Sequence, residues 1–133
     1  MITLINAPYA DVFYDEKHYL LQVIWKPDMT DNDYKQTFNF CLEYASTHRV
    51  DNFMSDIRNQ KIIAPETRKW FEDVALPTAI ERGLKRGAIV FTGNVFKKYY
   101  ANNILTRSKN FALPLKFFTS IEDGIKWFES TED

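Results

Sequence analysis

The stretch SDIRNQKIIAPETRKW, residues 55–70, decides the fold. It begins at the end of an apolar run, VDNFMSDI (residues 50–57), that reads as a strand closing on an acidic residue, Asp56. A short loop with two isoleucines, Ile62 and Ile63, follows. Pro65 then stands where a first helical position is expected, because its missing N–H would be unpaired there anyway. A strand, a loop and a Pro-started helix in this order make half of a βαβ unit. In open α/β sheets ligands gather beyond the carboxyl ends of strands, so the segment is read as a catalytic loop, a phosphorylation switch or a docking surface.

Working outward, the same alternation of periods recurs. Upstream, residues 2–6 and 11–15 read as short strands around a Pro8 turn, and YLLQVIW (residues 19–25) as a stronger one. Leu21, Val23 and Trp25 share one face of that strand and Leu20, Gln22 and Ile24 the other, so it is expected to be covered on both sides. Asp15 to His18 form the expected hairpin turn. Thr30 is a candidate N-cap with Asp33 in the first turn; Tyr34, Phe38, Cys41, Leu42 and Ala45 recur at helical spacing up to His48 and Arg49. Downstream of residue 70, Trp70, Phe71, Val74 and Ala75 form one helical side. Pro77 removes a donor and is expected to kink or break that helix, and Gly83 is a candidate left-handed cap. GAIVFTG (residues 87–93) reads as a buried strand. Asn94 would cap a helix with Val95, Phe96, Tyr99, Tyr100 and Ile104 as its stripe. LKFFTS (residues 115–120) is a last strand, and Ser120 caps a final helix. The order βββαβαβαβα describes an α/β chain, with a mixed β-sheet flanked by about four helices.

The 133 residues carry 45% hydrophobic and 16% aromatic side chains, enough for one domain over residues 1–133 with a substantial core. The formal net charge of −1 gives no basic excess for nucleic acid. Arg82, Lys85 and Arg86, then Lys97 and Lys98 beside Tyr99 and Tyr100, then Arg107 and Lys109, read as a solvated basic face. One cysteine, Cys41, excludes an internal disulfide and reads as a buried thiol on an apolar stripe. No run reaches the ~20 apolar residues of a membrane span, and the N-terminus lacks the pattern of a signal peptide. A cytoplasmic chain without a transmembrane segment is expected.

Motifs that carry chemistry are scarce. His18 and His48 sit on different elements without metal-ligand spacing and read as surface or capping residues. No phosphate-cradling glycine pattern and no nucleophile elbow occur. Asp56, Glu66, Glu72 and Asp73 offer carboxylates for acid–base work. Plainer roles account for them: Glu66 at a helix N-terminus, Glu72 and Asp73 on a solvated face, and Asp56 pairing with Arg58 or capping its loop. No catalytic residue, cofactor or metal site is assigned, and the chain is not expected to be an enzyme. Thr67, in a first helical turn, has the position of a phospho-acceptor, although an ordinary first-turn hydroxyl is the plainer reading.

Asn52 to Trp70, followed by LPTAIERGLKRGAIV (residues 76–90) and FFTSIEDGIKWF (residues 117–128), resembles small bacterial STAS-like proteins of the SpoIIAA-like type, also described as CRAL-TRIO-like. The shared features are the strand ending in an acidic residue, Arg58, the Pro-started helix with Trp70, Pro77, Gly83 and the apolar strand after it. The resemblance implies a mixed sheet flanked by helices and a non-enzymatic regulatory or protein-interaction role. In the anti-sigma-factor antagonists of that type, a D-S-S-G motif supplies a phosphorylated serine. The matching place here is APET (residues 64–67), without serine or glycine, so the phospho-serine switch is not expected.

Two uses remain. The first is an interaction module that contacts a protein partner, a second copy of the chain among them, through Asp56, Arg58, Ile62, Ile63, Thr67 and Trp70. The alternative is a carrier of a small apolar ligand or lipid, with Phe71, Val74, Phe96 and Tyr100 lining its cavity.

Overall fold

The computed structural model describes residues 1–92, 106, 109 and 112–130. Strands β1 (Ile2–Asn6), β2 (Ala10–Asp15) and β3 (Leu20–Trp25) precede helix α1 (Asp31–Thr47) and strand β4 (Asn52–Asp56). A helical run follows, made of α2 (Pro65–Trp70), a π turn (Phe71–Ala75) and α3 (Leu76–Glu81). Strands β5 (Arg86–Val90) and β6 (Leu115–Phe118) and helix α4 (Ile121–Ser130) complete the described elements. The six strands lie in sequence order in one sheet. β1, β2 and β3 pair antiparallel, and β3 to β6 pair parallel. The mixed sheet expected from the sequence is therefore present.

Burial on both faces follows from the two-sided strands. Leu21, Val23 and Trp25 of β3 meet Tyr34, Phe38 and Cys41 of α1, with Trp70 and Phe71 packed beside them. On the opposite face Leu20, Met54, Ala88 and Val90 meet Phe128 of α4, with Ile121, Ile125 and Trp127 around it. Much of the aromatic content goes into the first core: Trp25 stacks on Tyr34 at 5.1 Å, and Phe38 meets Phe71 edge-on at 4.9 Å. The indole N–H of Trp25 donates to Ser55 Oγ at 3.0 Å, so the buried ring leaves no orphan donor.

The local signals of α1 act as expected. Thr30 Oγ1 accepts from the Asp33 N–H, and the Asp33 carboxylate accepts from the Thr30 N–H, closing a reciprocal cap. Ser120 Oγ accepts from the Asp123 N–H at the start of α4, and Gly83 adopts φ 108°.

Four expectations change. Pro77 does not interrupt the helix at Leu76; the helical run continues through it to Glu81, and the irregularity lies one turn earlier. There the wider π turn lets the Leu76 N–H donate to Phe71 O, loosening the ladder just before the proline ring that would crowd it. The extra residue in that turn also shifts the helical phase, so Val74 is 47% exposed rather than sharing the buried side with Ala75. The strand expected over residues 87–93 is confined to Arg86–Val90. Among the described residues three helical runs flank the sheet, against about four expected. The helix expected after Asn94, with Val95, Phe96, Tyr99, Tyr100 and Ile104, lies outside the described residues.

Candidate functional site: the corner between β4 and α2

β4 ends at Asp56, and a tight turn begins there, with the Ile57 N–H on Val90 O and the Gln60 N–H on Ile57 O. Asp56 is almost fully buried and accepts from the Arg58 backbone N–H at 3.1 Å. It also accepts from the guanidinium twice, Nε to Oδ1 at 3.0 Å and Nη2 to Oδ2 at 2.7 Å. This two-pronged grip fixes the orientation of Arg58. The carboxylate beside it raises the guanidinium's pKa above its ordinary value. Both plain roles read for Asp56, pairing and loop capping, are present together.

The two isoleucines part company. Ile63 is 3% exposed and joins the α1-side core, whereas Ile62 is 67% exposed at the tip of the loop. α2 starts without a side-chain cap of its own, because Ala64 occupies that position. Asp31, the first residue of α1, supplies the acceptor: its Oδ2 takes the Ala64 N–H at 2.9 Å and the Thr67 hydroxyl at 2.6 Å. The Thr67 hydroxyl, then the Ala64 N–H, hold the Asp31 carboxyl below its ordinary pKa. One carboxylate thus ties the starts of two helices together.

The accessible part of the corner is therefore Arg58, Ile62 and, half-buried, Trp70. Asp56, Ile63 and Thr67 are buried and do not offer the contact surface expected of them. A phosphate on Thr67 would lie against the Asp31 carboxylate inside the packed helix start, which like-charge repulsion opposes.

The cavity residues also divide. An apolar cavity of about 50 Å³ lies between α1, α3 and the sheet, lined by Phe38, Cys41, Ala45, Phe53, Phe71 and Ala79 among others. A second, of about 40 Å³, lies toward β5 and β6 and includes Ser55 and Gln60. Phe71 lines both, Val74 faces outward, and Phe96 and Tyr100 lie outside the described residues. Burial pushes the Cys41 thiol up to about 12, so it is an inert wall of the first cavity.

Arg82 and Lys85 stand exposed, as a solvated basic face requires, while Arg86 is half-buried; both arginines also tie elements together. Arg82 donates to Leu42 O, and Arg86 donates to Asn52 Oδ1 and Phe128 O. Lys97, Lys98, Tyr99, Tyr100 and Arg107 lie outside the described residues. Among the described residues no three His, Cys, Asp or Glu side chains gather as a metal site, and no helix is long and apolar enough to cross a membrane.

His18 is not the surface residue expected at a hairpin tip. It is 6% exposed, with Nδ1 2.7 Å from Asp15 Oδ2 and Nε2 3.2 Å from Glu129 Oε2 on α4. His48 caps α1 and stacks on Tyr44 at 3.9 Å, as expected of a capping histidine.

No protein-family model matches the chain, and no curated protein matches it by sequence. A matching solved structure is the crystal structure of an uncharacterized protein from the DUF3478 family with a SpoIIAA-like fold, from Shewanella loihica PV-4. It superposes with a TM-score of 0.59 at 18% identity, over 93% of this chain and 97% of that one. At that identity the likeness concerns architecture. Together with the mixed sheet in sequence order and its helices on both faces, it shows that the chain has the SpoIIAA-like, STAS-type fold.

Proposed function

We propose that this chain is a non-enzymatic, cytoplasmic interaction module that docks a protein partner through the corner between β4 and α2. The observation that carries the reading is Ile62, a large apolar side chain held 67% exposed on a loop anchored on both sides. Asp56 fixes Arg58 before it, and Ile63 and the Asp31–Thr67 bond fix the chain after it. A rigid apolar tip flanked by an oriented guanidinium loses little conformational entropy on binding, which is how interface anchors concentrate affinity. The phospho-serine switch of the STAS resemblance has no counterpart in this reading, since the only hydroxyl in APET is buried.

The test is a photo-crosslinking residue placed at position 62 in cells, compared with the same residue at exposed Asn59, together with light scattering of the purified chain. A discrete adduct from position 62 and none from position 59, or a dimer of the original chain that Ile62→Asp abolishes with the circular dichroism spectrum unchanged, is the expected result. A chain that stays monomeric and gives no adduct at position 62 overturns the reading.

The carrier reading has one observation in its favour, the adjoining apolar cavities that share Phe38, Phe53 and Phe71. Their sizes, about 50 and 40 Å³, fall well below the ~300 Å³ at which ligand pockets begin. A lipid would have to spread α1 and α3 from the sheet to enter.

A further inference from the structure

The loop joining β2 to β3 is built tightly around His18. Tyr19 adopts φ 47°, unusual for a bulky side chain, and its carbonyl accepts the N–H groups of both Asp51 and Asn52. The Arg49 guanidinium lies 3.9 Å over the Tyr19 ring. The fully buried Asn52 donates from Nδ2 to His18 O at 2.6 Å and accepts from Arg86 Nε at 2.9 Å. Arg86 reaches on to Phe128 O, near the C-terminal end of α4. The backbone of His18 is thus fixed, and its ring is aimed between two carboxylates from different elements, Asp15 on β2 and Glu129 on α4.

Each ring nitrogen faces a carboxylate oxygen. A neutral imidazole has one N–H and one lone pair, so it satisfies one carboxylate and presents its lone pair to the other. The imidazolium donates to both. From this geometry we propose that His18 is a proton-dependent clasp. In its doubly protonated form it ties the last turn of α4 to the hairpin between β2 and β3, and loss of one proton releases α4 from that end.

Charged groups on the elements around the ring are the Met1 amine ahead of β1, which also lowers the Asp15 pKa, then Asp15, Glu16 and Lys17 from the hairpin, Arg49 and Asp51 before β4, Arg86 from β5 and Glu129 from α4. The Lys17 N–H and the His18 ring both bond Asp15, whose carboxyl stays below its ordinary pKa although burial opposes this. Asp15 therefore remains the anion that keeps one end of the ring. Glu129 is half-exposed, and its contact is the longer of the two, so it is the one that opens. Arg86 opposes a second positive charge nearby, but its guanidinium is turned to Asn52 and Phe128. The contribution is present while the ring carries both protons and is lost as pH rises and one leaves.

Amide hydrogen exchange of the intact chain between pH 5 and 8.5, corrected for intrinsic rates, tests the proposal beside an NMR titration of the His18 ring. Protection across α4 is expected to fall about tenfold as the His18 ring titrates, the factor that one charge-assisted hydrogen bond carries, with α1 unchanged. In Glu129→Gln the amide can both donate and accept, so α4 protection should no longer follow His18; Glu129→Ala should show the released level at every pH. Protection of α4 that stays flat through the His18 titration overturns the clasp. So does a pH dependence in Glu129→Gln equal to that of the original chain.

Discussion

Thr67 shows how a residue's surroundings overrule its type. In the chain it is a hydroxyl in a first helical turn; in the fold it is 2% exposed and spends its proton on Asp31, 36 positions away. Replacing it by valine keeps the shape but leaves the Asp31 carboxylate with one donor fewer. Because that acceptor is ionised, the loss is about 1.5 kcal/mol at pH 7, measured by urea unfolding. The pH dependence has a fixed sign. Asp31 titrates lower folded than its ordinary 3.8, so its contribution is complete above that value and disappears as pH falls through the folded one. The gap between Thr67→Val and the original chain should therefore narrow below pH 4; a gap that widens there contradicts the assignment. Ile62 and Ile63 give the same lesson in another form. They are neighbours of identical chemistry, and nothing local says which one turns inward, since that depends on the helix the loop must pass beneath.

Elements were more legible than residues because their signals are local. The reciprocal cap at Thr30, the Pro65 start, the Gly83 stop and the Ser120 cap each lie within a few residues of what they control. The π turn was not legible, because a register change of one residue leaves no mark on an apolar stripe until the helix is docked. Helix α4 carries a constraint of the same tertiary kind at Gly124. A methyl there would lie 2.5 Å from Met54 Cε, with Phe118 and Ala88 behind it at 3.6 and 3.7 Å. Alanine gains about 1 kcal/mol of helix propensity over glycine. Met54 Cε is the flexible end of its side chain, but that side chain is fully buried, so pushing it aside overpacks the core at a cost of about 1–3 kcal/mol. Gly124→Ala is thus expected to destabilise the chain. In a Met54→Ala background, where the clashing carbon is gone, the same change should stabilise it. Urea unfolding of the four proteins reads the sign change directly.

At the scale of the molecule, one sheet supports two unlike layers. The side bearing α1 and α2 holds the aromatic core and both cavities. The α4 side is thinner and is closed at one end by groups as far apart in sequence as His18 and Glu129, 111 positions, which is why no reading of neighbours could join them. The cavity beside α1 asks whether the first layer is merely loosely packed or built to open. Ala45 lines that cavity from α1. If the space is a packing void, Ala45→Leu fills it with three carbons at about 0.8 kcal/mol each, offset by some strain, for a net gain of about 1 kcal/mol in urea unfolding. The same variant would exclude an apolar guest. Native mass spectrometry of both proteins after expression then separates the uses of this layer. Unchanged bare masses with a raised urea midpoint mark the void as structural and leave function to the corner at Ile62. A co-purified apolar molecule present in the original chain and absent from Ala45→Leu would move function from that corner into the core.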